Sequence, residues 1–139
     1  MIIDGYIRPE DLEQLVYDKL KELGIKDKDY PINPYDLIRN ENILLFERSF
    51  SNQALKGVIM YGSEATAITV NSNRCYVSKR FTAMHELIHF WFHPRINGTI
   101  CLESYKEDYA DKEWQANNAT AYALMPRRIV KELFDLTDG

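Results

Sequence analysis

The sequence contains little cysteine, glycine or proline: 2 Cys, 6 Gly and 5 Pro among 139 residues. Two cysteines cannot form the disulfide framework of a small secreted domain, and a chain of this length buries enough surface to fold without one. We therefore expect Cys75 and Cys101 to be free, buried thiols. The chain also lacks internal repeats and linker segments, so its length predicts a single domain over residues 1–139.

A long hydrophobic run and a strong charge of one sign are also missing. The most apolar stretch, residues 81–92, is interrupted by two histidines and a glutamate and is too short to span a bilayer. The net charge is −4, and no cluster of Lys or Arg marks a nucleic-acid-binding surface. The first residues do not resemble a signal peptide. These absences predict a cytoplasmic protein with no membrane partner and no direct nucleic-acid binding.

The hydrophobic periodicity predicts helices towards both ends of the chain and strands in its middle. Apolar residues at helical spacing predict a helix over residues 9–23, ended by Gly24, and Asn33-Pro34 predicts the start of a short helix. Strands are expected at 43–46, 57–61 and 65–70, and later helices at 78–93 (with Ser78 as N-cap), 104–124 and 127–134. This pattern predicts an α+β fold: a small three-stranded antiparallel sheet, a pair of long helices, and shorter N- and C-terminal helices.

The predicted helix at 78–93 carries the motif His85-Glu86-Leu87-Ile88-His89. Two histidines four positions apart lie on one face of a helix, one turn apart, so that both imidazoles can bind one ion. Zn²⁺ suits such ligands, and a catalytic zinc site takes three protein ligands. Glu86 is placed to act as general base, taking a proton from the attacking water and returning it to the leaving amine. The alternative is that the two histidines are ordinary core residues, which this spacing makes the weaker interpretation.

A third ligand must come from elsewhere in the chain. His93 continues the spacing of four but lies two turns from His85, about 12 Å along the axis, so we expect it to support the site. A carboxylate on the following helix is the easier solution, and spacing alone leaves Glu113, Asp111 and Glu107 open. The full set of downstream candidates is His93, Glu103, Glu107, Asp108, Asp111 and Glu113.

Two segments, one on each long predicted helix, carry a family resemblance. Residues 80–89 (Arg-Phe-Thr-Ala-Met-His-Glu-Leu-Ile-His) are followed by His93. Residues 113–117 (Glu-Trp-Gln-Ala-Asn) are followed by Leu-Met-Pro at 124–126. Together they resemble the two signatures of the ImmA/IrrE metallo-endopeptidases, and the resemblance covers about residues 30–136. It implies a zincin-like pairing of the two long helices.

The resemblance assigns roles by position. It implies that zinc is held by His85, His89 and Glu113, with Glu86 as general base and with Asn117 and His93 as supporting residues. It further implies a protein substrate, a helix-turn-helix repressor whose cleavage or inactivation relieves repression in a phage, a mobile element or a stress response. We expect the chain to be the bare protease module of such a protein.

Some features depart from the family or stay open. Family members commonly carry Gly at the position of Ile88 and Ala at that of Met84, so we expect different packing around an intact metal site. Trp91 and Trp114 are expected in the core.

The rival interpretations of the function are a regulatory module that binds its partner without cutting it, and another metal-dependent hydrolase such as an amidase. The residue that stabilises the oxyanion is also open, the candidates being Tyr105, Tyr109, His93 and Arg74.

Overall fold

The computed structural model describes residues 2–3, 6–93, 99–101 and 107–138. It confirms the α+β class. In chain order, the elements are β1 (Ile2–Ile3), β2 (Tyr6–Ile7), α1 (Pro9–Glu22), a 3-10 turn (Asp27–Asp29), α2 (Pro34–Asn40), β3 (Leu44–Arg48), β4 (Gly57–Tyr61), β5 (Thr66–Asn71), α3 (Tyr76–Phe92), β6 (Thr99–Cys101), α4 (Glu107–Leu124) and α5 (Arg127–Asp138). The predicted helix start at residue 104 lies outside the described residues. No helix in the described ranges has both the length and the apolar composition of a membrane span.

The main sheet is mixed, so the prediction of a purely antiparallel sheet is wrong. Its strand order is β3-β5-β4-β6. The hairpin of β4 and β5 is antiparallel as predicted, with Tyr61 opposite Thr66, but β3 runs parallel to β5. The sequence pattern shows where strands form but not which strands pair. β3 would be antiparallel to β4 if the two were neighbours, whereas its actual neighbour, β5, runs parallel to it. The short strand β6, which was not predicted, adds to β4.

The ends of the helices follow local rules in two cases and depart from prediction in a third. Asn33 caps α2, since its Oδ1 accepts a hydrogen bond from the Tyr35 amide at 3.1 Å. Gly24 follows α1 with φ +79°, the left-handed conformation that glycine adopts most readily. The predicted cap at Ser78 is wrong, because α3 begins two residues earlier, at Tyr76, after Cys75. Cys75 is exposed and not buried as expected.

The core lies between the sheet and helices α1, α2 and α4, with α3 in its centre. α3 contacts β4 and β5 on one side and α2 and α4 on others, and every residue from 82 to 89 is buried. Met84 and Ile88, the two positions where the chain departs from its family resemblance, are fully buried and fill this core. The polar side chains of α3 in this stretch must therefore find partners inside the protein.

Small residues allow the neighbouring elements to approach α3 closely. On α4 the buried positions include Ala116, Ala119 and Ala123, all with no exposed surface. On β4, a Cβ added at Gly57 would lie 2.5 Å from Cγ2 of Thr82 on α3. The strand and both long helices are thus held against one another at the height of the His-Glu-x-x-His motif.

Candidate metal centre

Three side chains from two helices converge at the centre of the fold. His85 and His89 lie one turn apart on α3, and Glu113 reaches them from α4. Nε2 of His89 lies 2.7 Å from Oε1 of Glu113, Nε2 of His85 lies 3.1 Å from Oε2 of Glu113, and the two Nε2 atoms are 3.1 Å apart. One ligand atom from each residue lies within 4.8 Å of the others, a group that could hold a metal ion.

Two of these three distances match a tetrahedral zinc ion, and the third, 2.7 Å between His89 and Glu113, is shorter than zinc ligands require. Zn–N and Zn–O bonds of about 2.0–2.2 Å place neighbouring ligand atoms roughly 3.3 Å apart. The separations of 3.1 Å between the two imidazole nitrogens and 3.1 Å between His85 and the carboxylate are close to that value. Two imidazole nitrogens and one carboxylate are also the donor set of catalytic zinc sites of the two-histidine, one-glutamate type. The residues therefore fit the metal that the motif implies.

The electrostatics of the three side chains favour a cation between them. At Glu113, burial raises the pKa of the carboxyl group, but the imidazoles of His85 and His89, which lie within hydrogen-bonding distance, outweigh burial and lower that pKa far below its usual range. Burial also opposes a charge on His85, yet Glu113 and Glu86 raise the pKa of its imidazole. At His89 burial prevails and the pKa is lowered. Glu113 is therefore ionised at neutral pH and attracts positive charge to the two imidazoles.

The far nitrogens of both histidines are also engaged. Nδ1 of His85 lies 2.9 Å from Oδ1 of Asn117, one turn after Glu113 on α4. Nδ1 of His89 lies 2.6 Å from Nδ1 of His93, and Nε2 of His93 lies 3.0 Å from Oε1 of Gln115. Asn117 and His93 thus each contact a different one of the two rings, and their supporting role stays a prediction.

Gln115 was missed by the sequence analysis. It lies two positions after Glu113, so helical geometry places it on a different face, and spacing gave it no connection to the metal. The sequence signal that could have found it is a polar residue followed directly by Ala116, in a segment whose many alanines predict close helix packing. Gln115 is only 4% exposed, and a buried amide at such a position must have partners.

Glu86 lies beside a small cavity. The side chain is buried, with 6% of its surface exposed, and the cavity has a volume of about 80 Å³. That volume exceeds the roughly 10–15 Å³ that one water molecule needs. The residues that line it are Lys56, Gly57, Phe81, Thr82, His85, Glu86 and Asn117. A carboxylate and a histidine of the candidate metal centre therefore share a space that can hold water.

The other candidate ligands lie apart from this group or outside the described side chains. Asp111 is exposed and borders a separate cavity with Pro9, Trp114 and Gln115. Glu103 and the side chains of Glu107 and Asp108 lie outside what the structure describes.

The candidate oxyanion donors differ in whether their hydrogen-bonding groups are already engaged within the protein. Burial and the neighbouring His89 lower the pKa of His93 to about 4, so this residue is neutral at pH 7. Both of its ring nitrogens are engaged inside the protein, which removes it as a donor to substrate. The Arg74 guanidinium donates to the Ser78 hydroxyl at 3.3 Å. Tyr105 and the side chain of Tyr109 lie outside the described residues.

The two tryptophans differ in how far they are buried. Trp91 packs against the core, and its indole N–H donates to Glu41 at 3.2 Å. Trp114 is 49% exposed, so the expectation that it belongs to the core is wrong. It lies next to Glu113 on α4, and a helix that turns Glu113 inward turns its neighbour partly outward.

Comparison with known families identifies one match. The family model described as the IrrE N-terminal-like domain, Peptidase_M78, matches residues 38–137. The matched region contains α3 and α4 with all residues of the metal centre, and it leaves out α1 and the two short strands before it. No curated protein gives a significant match to the chain.

Proposed function

We propose that this chain, which belongs to the IrrE N-terminal-like (Peptidase_M78) family of ImmA/IrrE metallopeptidases, is a zinc-dependent endopeptidase. We propose further that its substrate is a helix-turn-helix transcriptional repressor, which it cleaves or inactivates to relieve repression. The observation that carries the peptidase proposal is the convergence of His85, His89 and Glu113 beside a water-sized cavity lined by Glu86.

Each residue of the centre has a role in this proposal. His85, His89 and Glu113 would hold the zinc ion, which would supply Lewis-acid chemistry at the scissile carbonyl and at the attacking water. Glu86 is given no ligand role, because it follows His85 directly and its side chain leaves the helix in a different direction from those of the two histidines. Its carboxylate takes a proton from a water molecule in the adjoining cavity and later delivers a proton to the amine that leaves. Burial of His85, Glu86 and His89, with Glu113 partly buried beside them, strengthens these electrostatic interactions.

The proposed substrate is supported by the resemblance to the family and by charge. The chain carries a net charge of −4 and has no basic cluster. A DNA-binding repressor presents a basic surface to the phosphate backbone. An acidic peptidase attracts such a protein and does not compete with it for DNA. The repressor is thus the partner, and direct nucleic-acid binding by the chain itself is not part of the proposal.

The experiment compares three zinc-loaded proteins: the wild type, Glu86→Gln, and the control Glu64→Gln. Glu64 is exposed in the turn between β4 and β5, so its variant makes the same chemical change away from the centre. Each is incubated with the purified repressor encoded beside its gene and with a peptide library, and new termini are identified by mass spectrometry. We expect cleavage by the wild type and by Glu64→Gln, and at least a 100-fold loss in Glu86→Gln, the lower end for a positioned general base.

The same experiment separates the alternatives. A module that binds the repressor without cutting it would give undiminished repressor inactivation in Glu86→Gln and no new termini with any of the three proteins. An amidase would release ammonia from side-chain amides and leave the backbone intact, a mass change of about one unit without new termini.

A further inference from the structure

We infer that Gln115 is a positioning residue of the metal centre. Its amide group connects the zinc ligand His89, through His93, to the main-chain carbonyl of Ile7, and this connection fixes which nitrogen of His89 faces the metal. The inference rests on the proposed metal site and is independent of peptide cleavage.

The orientation of the Gln115 amide follows from the Ile7 carbonyl. Nε2 of Gln115 lies 3.0 Å from the carbonyl oxygen of Ile7. A backbone carbonyl can only accept, so the group facing it must be the NH₂ of the amide. The other end of the amide, Oε1, therefore faces Nε2 of His93 at 3.0 Å. An amide oxygen can only accept as well, so the N–H of the His93 ring is on Nε2.

The proton between the two histidines then belongs to His89. A neutral imidazole carries one N–H, and His93 carries it on Nε2, so its Nδ1 is an acceptor. That Nδ1 lies 2.6 Å from Nδ1 of His89, a distance that requires one proton between the two atoms. His89 supplies this proton, so its own Nε2 carries a lone pair. Nε2 is the atom that faces Glu113 and His85, and a lone pair there is what a metal needs.

Every member of this chain of hydrogen bonds is buried. Ile7, His89, His93 and Gln115 expose between 0 and 6% of their surfaces. A broken link therefore leaves polar groups in the interior without their protein partners. The other ligand histidine has a looser support, since Asn117, its partner, is exposed to solvent. The hydrogen bonds therefore constrain the ring of His89 more strictly than the ring of His85.

The chain of hydrogen bonds also ends outside the part shared with the family. Ile7 belongs to β2, ahead of the matched residues 38–137. Its carbonyl is 108 positions from Gln115 in the sequence. The segment before α1 thus contributes one main-chain atom to the support of the metal centre, in addition to the fully buried Ile7 side chain in the core.

The first measurement is zinc affinity, by competition with a chelator, in the full chain. Gln115→Met keeps the length of the side chain and removes both hydrogen bonds. Asn118→Leu is the matched control, because Asn118 lies on the same helix and its amide donates to the Trp114 carbonyl one turn back. We expect Gln115→Met to bind zinc about 10- to 100-fold more weakly, as for other outer partners of metal ligands, and Asn118→Leu to bind as the wild type does.

The second measurement is the tautomer of each imidazole, from ¹⁵N NMR of the wild type, and it does not depend on whether a variant folds. The chain has 3 histidines, so every imidazole signal belongs to His85, His89 or His93. We expect His93 with its proton on Nε2 and His89 with its proton on Nδ1. In Gln115→Met we expect His93 to become a mixture of tautomers, which a loss of packing alone would not produce.

Three outcomes would contradict the inference. Gln115→Met with the zinc affinity of the wild type would show that the amide does not support the centre. A wild-type His93 with its proton on Nδ1 would reverse the direction of the chain of hydrogen bonds. If the wild type itself bound no zinc, the inference and the proposed zinc enzyme would both fail. Absence of peptide cleavage with these zinc results intact would instead refute only the proposed function.

Discussion

His89 on α3 and Glu113 on α4 meet at 2.7 Å between Nε2 and Oε1, in a contact that is partly buried. The contact joins the two long helices at the level where His85 also reaches the carboxylate. A carboxylate placed against two buried imidazoles makes a site of negative potential, with a donor geometry that suits zinc. Four predictions test how this centre is built and how it depends on its surroundings.

The first prediction concerns the core behind the metal face of α3. Ile88→Ala should lower the free energy of unfolding by about 2–5 kcal/mol, because it leaves a cavity in a buried site. Ile88 is 1% exposed and belongs to the apolar core, so zinc stoichiometry should stay at that of the wild type. Val77→Ala on the same helix is the control. Val77 is 74% exposed, and its loss should change stability by less than about 0.5 kcal/mol in urea unfolding.

The second prediction concerns the close approach of β4 to α3. Gly57→Ala places a methyl group 2.5 Å from Cγ2 of Thr82 and should cost about 1–3 kcal/mol of stability through overpacking. Thr82→Ser removes that Cγ2. In the double variant the two effects should therefore be less than additive, and unfolding curves of all four proteins give the coupling directly. Strict additivity would show that the two side chains do not meet.

The third prediction concerns pH. The pKa of His85 is raised because Glu113 and Glu86 outweigh the opposing effect of burial. As the pH falls through this raised pKa, a proton occupies the imidazole and competes with zinc. The apparent zinc affinity should thus fall by about tenfold per pH unit below it, with one proton released on binding. Calorimetry in buffers of different ionisation enthalpy measures that release, and an affinity independent of pH between 5 and 8 would contradict it.

Much of this centre follows from the sequence because the rules involved are local. The spacing of His85 and His89 places them on one helix face independently of the rest of the fold. The same motif places Glu86 directly beside His85. The start of α2 at Asn33-Pro34 follows from capping chemistry in the same way. The prediction of Glu113 as the third ligand depended on the family resemblance. Spacing alone could not choose among carboxylates whose positions depend on how two helices pack.

Most of the wrong or missing predictions depend instead on how parts of the fold pack together. The parallel pairing of β3 with β5 is a choice of neighbours that strand patterns do not encode. The role of Gln115 depends on the Ile7 carbonyl, 108 positions away. Trp114 is hydrophobic but exposed because its helix must turn Glu113 towards the histidines. The cap at Ser78 failed for a local reason: Cys75 already precedes a helical turn that contains Ser78.

The fourth prediction tests the central claim most directly, by measuring bound zinc per chain after zinc is supplied and the excess removed. The wild type should retain one zinc ion. Glu113→Gln should retain almost none, since an amide is a poor zinc ligand. Asp111→Asn, an exposed carboxylate two positions earlier on the same helix, should retain one. A wild type without stoichiometric zinc, or a Glu113→Gln variant that keeps its zinc as firmly as the wild type, would contradict the metal centre described here.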